Sequence, residues 1–232
     1  MRVALIPARG GSKGILRKNL RQIGSQSLLE IGIQKLKVAG VENIYVSTDD
    51  EEIKSVAVDL NAKPILRPTE ISTDVASTES VINHFLEKTS FESNQMILVH
   101  QITSPFLTSH SINDAFQILE SDESVNSVIS IFLGHQFEWE VNTAGLCEPI
   151  NHSRNYRPRR QELGLRGVET GGFYLFRKSA YLASASRFPE PTKYISVSRL
   201  EALDIDTPED LEFAQQVVAR NLQPIGAIHE NR

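Results

Sequence analysis

Residues 1–20 read MRVALIPARGGSKGILRKNL, a continuous apolar run from Val3 to Ile6 that breaks at Pro7 into glycines flanked by fixed cations. A short run without polar alternation suits a strand buried on both faces of a parallel sheet. Arg9, Lys13, Arg17 and Lys18 crowd around Gly10, Gly11 and Gly14. The loop lacks GxxxxGKS/T, and its glycines do not fall as GxGxxG, so neither the Walker A loop nor the dinucleotide fingerprint is present. What remains is a strand, a tight glycine turn and cations. Backbone N–H groups of Gly10, Gly11 and Ser12 can approach phosphate oxygens with no Cβ between, while Arg9 and Lys18 can neutralise the charge on them. A nucleoside triphosphate suits that chemistry; the alternative is a surface turn whose basic residues are merely solvated.

The pattern around the loop repeats strand and helix. Leu28, Leu29, Ile31, Ile33, Leu36 and Val38 recur at helical spacing until Gly40, and Asn43–Thr48 reads as the next strand. Thr48 or Asp49 can cap the helix that follows, and Asp49 and Asp50 are assigned to that capping. Lys63–Leu66 is a brief strand, and RPTEISTDVASTESVINHFLEK holds a polar loop and another helix. Three such units favour a layered, mostly parallel sheet. Met96–Gln101 is a further strand with ITSPFLTSH at its C-terminal end, where open α/β sheets hold ligands, and Ile112–Leu119 a helix.

After the strand Ser127–Phe132 the rhythm stops. Gly134 to Gly167 carries Trp139, Pro149, Pro158 and five arginines, and reads as an arm leaving the sheet. Gly171–Phe176 resumes as a strand, and a last helix starts at Thr207, a good N-cap followed by Pro208, with Asp210 completing a capping box. The domain reading is one unit over residues 1–220 with an arm at about 134–167 inserted, and a loosely held tail over 221–232.

The bulk numbers exclude several classes. A chain of 232 residues with 40% hydrophobic and 23% charged residues is an ordinary globular composition. A net charge of −5 argues against bulk binding to nucleic acid or anionic membranes, so an anion site must be local. No apolar run approaches the ~20 residues of a membrane span, and the four apolar residues before Pro7 are too few for a signal-peptide core. A single cysteine, Cys147, forms no internal disulfide and is expected as a small buried hydrophobe. A reducing cytoplasm is the expected location. His84, His100, His135 and His152 lack metal-like spacing and are expected to be ordinary polar or half-buried residues.

Two further groups carry chemistry. Asp204 and Asp206 stand two apart; in a strand both carboxylates would share a face and could meet one hard cation, and Mg²⁺ needs only one or two carboxylates besides phosphate oxygens and water. Asp206 could equally favour the dipole of the last helix. The second group is NHSRNYRPRRQELGLR, with Arg154, Arg157, Arg159, Arg160 and Arg166, either a solvated loop or an anion-binding arm.

The stretch IPARGGSKGILRKNL closely resembles the IPARGGSKGIPRKN signature of the acylneuraminate cytidylyltransferase family, which loads CMP onto nonulosonic acids such as sialic acid. LRPTEISTDVAS, HQITSPF, the arginine-rich arm, GGFYLF and ALDIDTPEDL follow in the family's order, to about residue 220. The resemblance implies an α/β, three-layer, mostly parallel sheet of the nucleotide-diphospho-sugar transferase, glycosyltransferase-A-like kind, with a protruding dimerisation arm. It also implies a homodimer, Mg²⁺, and CTP as substrate. By position, Ala8, Arg9, Gly10, Gly11, Ser12, Lys18, Asn19, Arg67 and Thr78 correspond to nucleotide contacts, with Arg9, Lys18 and Asp204 catalytic. Gln101, Thr103, Ser104, Tyr174 and Phe188 correspond to the sugar site, joined by Arg160 reaching into a partner's pocket. Asp204 and Asp206 correspond to the metal site. Leu16 replaces a proline of the signature. Ile102 stands where proline is usual and Leu107 where arginine is usual, so the resemblance places the sugar site without implying N-acetylneuraminate itself. The implied reaction is in-line attack of the sugar's anomeric hydroxyl on the α-phosphate of CTP. Its rivals are transfer to a Kdo-like ulosonate, a glycosyltransferase, and a catalytically idle nucleotide-binding subunit.

Overall fold

The structure, a computed structural model, describes residues 1–220; the expected tail over 221–232 lies outside the described residues. In chain order the elements are β1 (Val3–Pro7), β2 (Gln22–Ile23), β3 (Gln26–Ser27), α1 (Leu28–Val38), β4 (Asn43–Thr48), α2 (Glu51–Asp59), β5 (Lys63–Leu66), α3 (Thr78–Glu87) and β6 (Met96–His100). They continue with α4 (Ser109–Ser121), β7 (Ser127–Gly134), β8 (Trp139–Val141), β9 (Cys147–Pro149), β10 (Arg166–Arg177), α5 (Lys178–Ser184), β11 (Thr192–Val197) and α6 (Pro208–Ala219).

β1 is apolar throughout because it is buried on both sides. Ala4 and Ile6 join a core beneath α1, α4 and α6, whereas Val3 and Leu5 join a second core with Val81 and Phe85 of α3 and Tyr181 of α5. That alternation makes the three layers. The sheet has seven strands in the order β11-β7-β10-β6-β1-β4-β5, and β10 alone is antiparallel to its neighbours β6 and β7. The expected mostly parallel α/β sheet is what the chain forms.

Local chemistry sets the helix ends. Ser27 and Glu30 form a capping box on α1, and Gly40, at φ 76°, follows its C-terminus where an L side chain would be strained. Thr207, Pro208 and Asp210 start α6 as expected. On α2 only Asp50 caps, accepting from the N–H groups of Glu52 and Ile53; Asp49 is engaged elsewhere.

β10 departs from expectation. It begins at Arg166 rather than Gly171, because its first turn of residues pairs with the end of β7, Arg166 with Gly134 and Glu169 with Ile131. The register then shifts between Glu169 and Tyr174. Gly171 sits at φ 71°, and a Cβ on Gly172 would lie 3.3 Å from Leu107 and from Ser130 Oγ, so this crowded offset requires glycine. Between Gly134 and Arg166 lies the arm, with the hairpin β8–β9 at its heart. Cys147 is exposed there, contrary to the expected burial, because a two-stranded hairpin has no layer to cover it.

Candidate active site

The C-terminal ends of β1 and β6 open into a cleft of about 490 Å³. Of the residues expected to act, Arg9, Ser12, Lys18, Asn19, Arg67, Thr78, Gln101, Thr103, Tyr174, Asp204 and Asp206 line it. Ala8 lies buried beneath the loop and Gly11 has open space where a Cβ would stand.

Each loop cation has an acid. Arg9 Nη1 lies 2.5 Å and Lys13 Nζ 2.9 Å from the carboxylate of Asp74. Hydrogen bonds from Lys13 and then Arg9 hold the Asp74 carboxyl below its ordinary value. Arg17 pairs with Glu52 at 2.6 Å. Lys18 Nζ donates to Ile205 O at 2.8 Å and to Asp206 Oδ1 at 2.9 Å, so the chain's first loop touches its last acidic segment. A Cβ on Gly14 would clash with the Asp206 carbonyl oxygen, which favours glycine at that crossing. Asn19 is buried and donates Nδ2–H to Arg9 O at 2.8 Å, fixing the loop from below.

Gly10 N–H is bonded to Asp49 Oδ1 at 2.8 Å, so in this state Gly10 serves the loop's shape instead of offering a free donor, and Asp49 ties the loop rather than capping α2. Arg67 is buried and donates to Ser47 Oγ and Ser47 O, at 3.2 and 2.9 Å. Burial lowers its pKa to about 10, with Asp49 opposing, which leaves it a cation at neutral pH.

Asp204 and Asp206 are not in a strand. They lie in an unpaired segment between β11 and α6, anchored where Ile205 N–H donates to Thr103 O at 2.9 Å. Burial pushes the Asp204 carboxyl above its ordinary value, Thr103 donates a compensating hydrogen bond, and the neighbouring Asp206 raises it further. Asp204 Oδ1 is buried without a partner. No group of three or more His, Cys, Asp or Glu residues among the described residues could hold a metal alone. A pair of carboxylates with one orphaned buried oxygen does fit Mg²⁺ whose remaining ligands come from phosphate and water.

On the sugar side, Gln101 N–H donates to Gly172 O at 3.1 Å and the Ser104 N–H to Gln101 O at 3.3 Å, so TSPF is a turn whose Ser104 Oγ is buried and unpartnered. Tyr174 lines the cleft with its ring, donates its hydroxyl to Glu169 Oε1 at 2.6 Å, and titrates well above an ordinary phenol because it is buried. Phe188 does not line the cleft; it packs edge-on against Tyr174, with centroids 5.3 Å apart. Beneath this wall His100 is fully buried, not half-buried as expected, with Nδ1 3.0 Å from Gly172 O, and burial lowers its pKa to about 4.

Arg160 lies outside its own chain's cleft, exposed on a short 3₁₀ turn of the arm. Other arm arginines are spent locally: Arg154 pairs with Glu148 at 2.8 Å, Arg157 stacks over Phe137 at 4.0 Å, and Arg166 pairs with Glu138 at 3.5 Å. The sequence reading does not name Asp74, and it names Asp49 as a cap and Gly14 as part of the loop without linking either to the site's geometry. Asp74 sits in the quoted STDVAS stretch, and its position there was the available signal.

A cleft lined by loop cations and an acidic pair, at the strand ends of a mostly parallel sheet, defines an α/β protein with a candidate anion site. A sequence profile described as Cytidylyltransferase matches residues 3–230, and the chain belongs to that family. It is 32% identical over 223 residues to N-acylneuraminate cytidylyltransferase B of Danio rerio, covering 94% of this chain and 52% of that protein. It is 30% identical over 224 residues to pseudaminic acid cytidylyltransferase of Campylobacter jejuni, covering 92% and 94%. The chain thus spans about half the length of the zebrafish relative and nearly all of the bacterial one. Among solved structures, CMP:2-keto-3-deoxy-manno-octonic acid synthetase complexed with CTP superimposes with a TM-score of 0.68 at 19% identity, covering 95% of this chain and 99% of that one. The 4-diphosphocytidyl-2C-methyl-D-erythritol synthase of Anaerococcus prevotii gives 0.65 at 17%, covering 94% and 98%; both share the fold.

Proposed function

We propose that this chain transfers CMP from CTP to the anomeric hydroxyl of a nonulosonic acid, releasing pyrophosphate. The observation that carries the reading is the contact of Lys18 with Asp206 across the cleft, which sets triphosphate cations beside a carboxylate pair with an unsatisfied oxygen. Relatives named for N-acylneuraminate and pseudaminic acid support the acceptor class.

Transfer at phosphorus depends mainly on positioning and charge stabilisation. Arg9 and Lys13, paired with Asp74 in the free protein, exchange that carboxylate for phosphate oxygens, and Lys18 turns toward the α-phosphate. Mg²⁺ on Asp204 and Asp206 would supply further neutralisation of the triphosphate. Gln101 and Thr103 face the reacting end of the acceptor, beside the Tyr174 ring. The hydroxyl oxygen forms a bond to the α-phosphorus as the bond to pyrophosphate breaks. The carboxylates that line the cleft, Asp74, Asp204 and Asp206, are candidates to take the hydroxyl's proton.

The arm supports a homodimer: Trp139, Val141, Leu146 and Ile150 are exposed on it, which a second copy could cover. In that dimer Arg160 reaches the partner's sugar. The test is pyrophosphate release with CTP and a panel of nine-carbon and eight-carbon ulosonic acids. Release with a nine-carbon acid is expected; release with eight-carbon acids alone would move the chain to a Kdo-like acceptor, and CTP binding with no turnover would make it an idle subunit.

A further inference from the structure

We infer that a second chamber, joined to the nucleotide cleft at Asp204, takes the sugar acid, and that Arg199 of the same chain grips its carboxylate. This rests on the nonulosonic-acid reading above and assigns the cation that reading left to the partner's arm alone.

The chamber measures about 460 Å³ and lies between β7, β10 and the segment after β11, with Phe132, Gln136, Glu169, Thr170 and Arg199 among its walls. Asp204 belongs to both cavities. A molecule reacting at Asp204 with a nucleotide in the first cavity would therefore extend its body into the second.

The chamber's polar groups are incompletely used. Arg199 is exposed, has no ion pair among the described residues, and is held with its guanidinium carbon 5.3 Å from the Phe132 ring centroid. Stacking fixes the plane of a guanidinium while leaving its N–H edge free for a bidentate carboxylate. Gln136 Oε1 is a buried acceptor without a donor, a costly arrangement unless a ligand supplies one. Glu169 uses Oε1 for the Tyr174 hydroxyl.

One cation among several acceptors matches a ligand with one carboxylate and many hydroxyl or amide N–H donors. In a nonulosonic acid the carboxylate and the reactive hydroxyl sit on the same carbon. With the hydroxyl at Asp204, the carboxylate is presented to the chamber wall nearby, and Arg199 is the cation lining that chamber. A neutral sugar would leave Arg199 unmatched.

The test uses the full chain and calorimetric titration with N-acetylneuraminate, pseudaminate and the methyl ester of each, together with CTP. The native protein should prefer an acid over its ester at least tenfold. Arg199→Gln should reduce that preference to within twofold, Arg199→Lys should keep part of it, and CTP affinity should stay within twofold in both. An unchanged acid-over-ester ratio in Arg199→Gln, a parallel loss of CTP affinity, or no binding of either acid to the native protein would overturn the assignment. Steady-state kinetics separate this from the parent reading. Pyrophosphate release with an unchanged acid KM in Arg199→Gln sinks the chamber alone. Acid binding that depends on Arg199, without any pyrophosphate release, sinks the transfer alone.

Discussion

The nucleotide cleft and the arm are built on opposite terms. In the cleft, each cation already faces a partner in the same chain: Arg9 and Lys13 hold Asp74, Lys18 holds Asp206, and Arg67 is buried against Ser47. In the arm, Arg160 is exposed, and Trp139, Val141 and Leu146 are about half or more exposed. The cleft is pre-organised by a three-layer core and needs a ligand to displace its internal acids. The arm leaves most of its apolar residues uncovered. A preformed anion site limits reorganisation during transfer, whereas a hairpin with uncovered apolar residues gains from association.

If the cleft is the catalytic half, its acidic segment should show the largest effect. Asp204→Asn is expected to lower turnover on the order of a thousandfold, about 4 kcal/mol in the transition state, and Asp206→Asn less. Both should weaken the Mg²⁺ dependence, since each removes a formal charge from a hard cation's ligand. Rates measured over a Mg²⁺ titration decide this, and titrations unchanged in both variants would place the metal on the triphosphate alone.

The rigidity of the cleft's floor can be read from His100. Burial lowers its pKa in the folded protein to about 4, below the ordinary imidazole value of about 6.5, so the unfolded chain binds the proton first. Stability present above pH 6.5 is then lost as the pH falls toward 4, by about 3 kcal/mol if the full difference is expressed. Urea denaturation of the native protein and of His100→Gln at pH 7 and pH 4.5 should show this slope in the first and its reduction in the second.

Lys18→Ala and Arg9→Ala should each lower turnover roughly tenfold or more, about 1.4 kcal/mol, with the fold retained because neither side chain belongs to the apolar core. Unchanged kinetics in both would return the loop to a simple turn. The smallest effect tests the arm. Mixing Arg160→Ala with Lys18→Ala subunits should restore about a quarter of native activity, since half the dimers are mixed and one of their two pockets regains both residues. No rescue after verified exchange of subunits inactive alone would confine Arg160 to its own chain.

How legible these regions were follows from how local their determinants are. The loop could be read because glycines, cations and a preceding apolar strand are contiguous, and the cap of α6 because Thr207, Pro208 and Asp210 are neighbours. Asp204 and Asp206 were identified, but their support was misjudged: the segment is held by Thr103, about a hundred residues earlier, so no local pattern distinguishes it from a strand. The early start of β10 was hidden because Arg166 to Glu169 are exposed and show no apolar alternation. Cys147 was misplaced because burial was inferred from residue type, while the hairpin offers nothing to bury against. The second chamber draws on residues from Phe132 to Asp204, and only the fold assembles them.

The most direct test of the cleft's chemistry is ³¹P NMR of the protein with CTP, Mg²⁺ and a nonulosonic acid it binds. The account predicts a growing phosphodiester resonance, from CMP joined to the sugar, and a pyrophosphate resonance of twice its intensity, both absent with Asp204→Asn. Orthophosphate and CDP in their place, or CTP that stays intact while both ligands are bound, would contradict it.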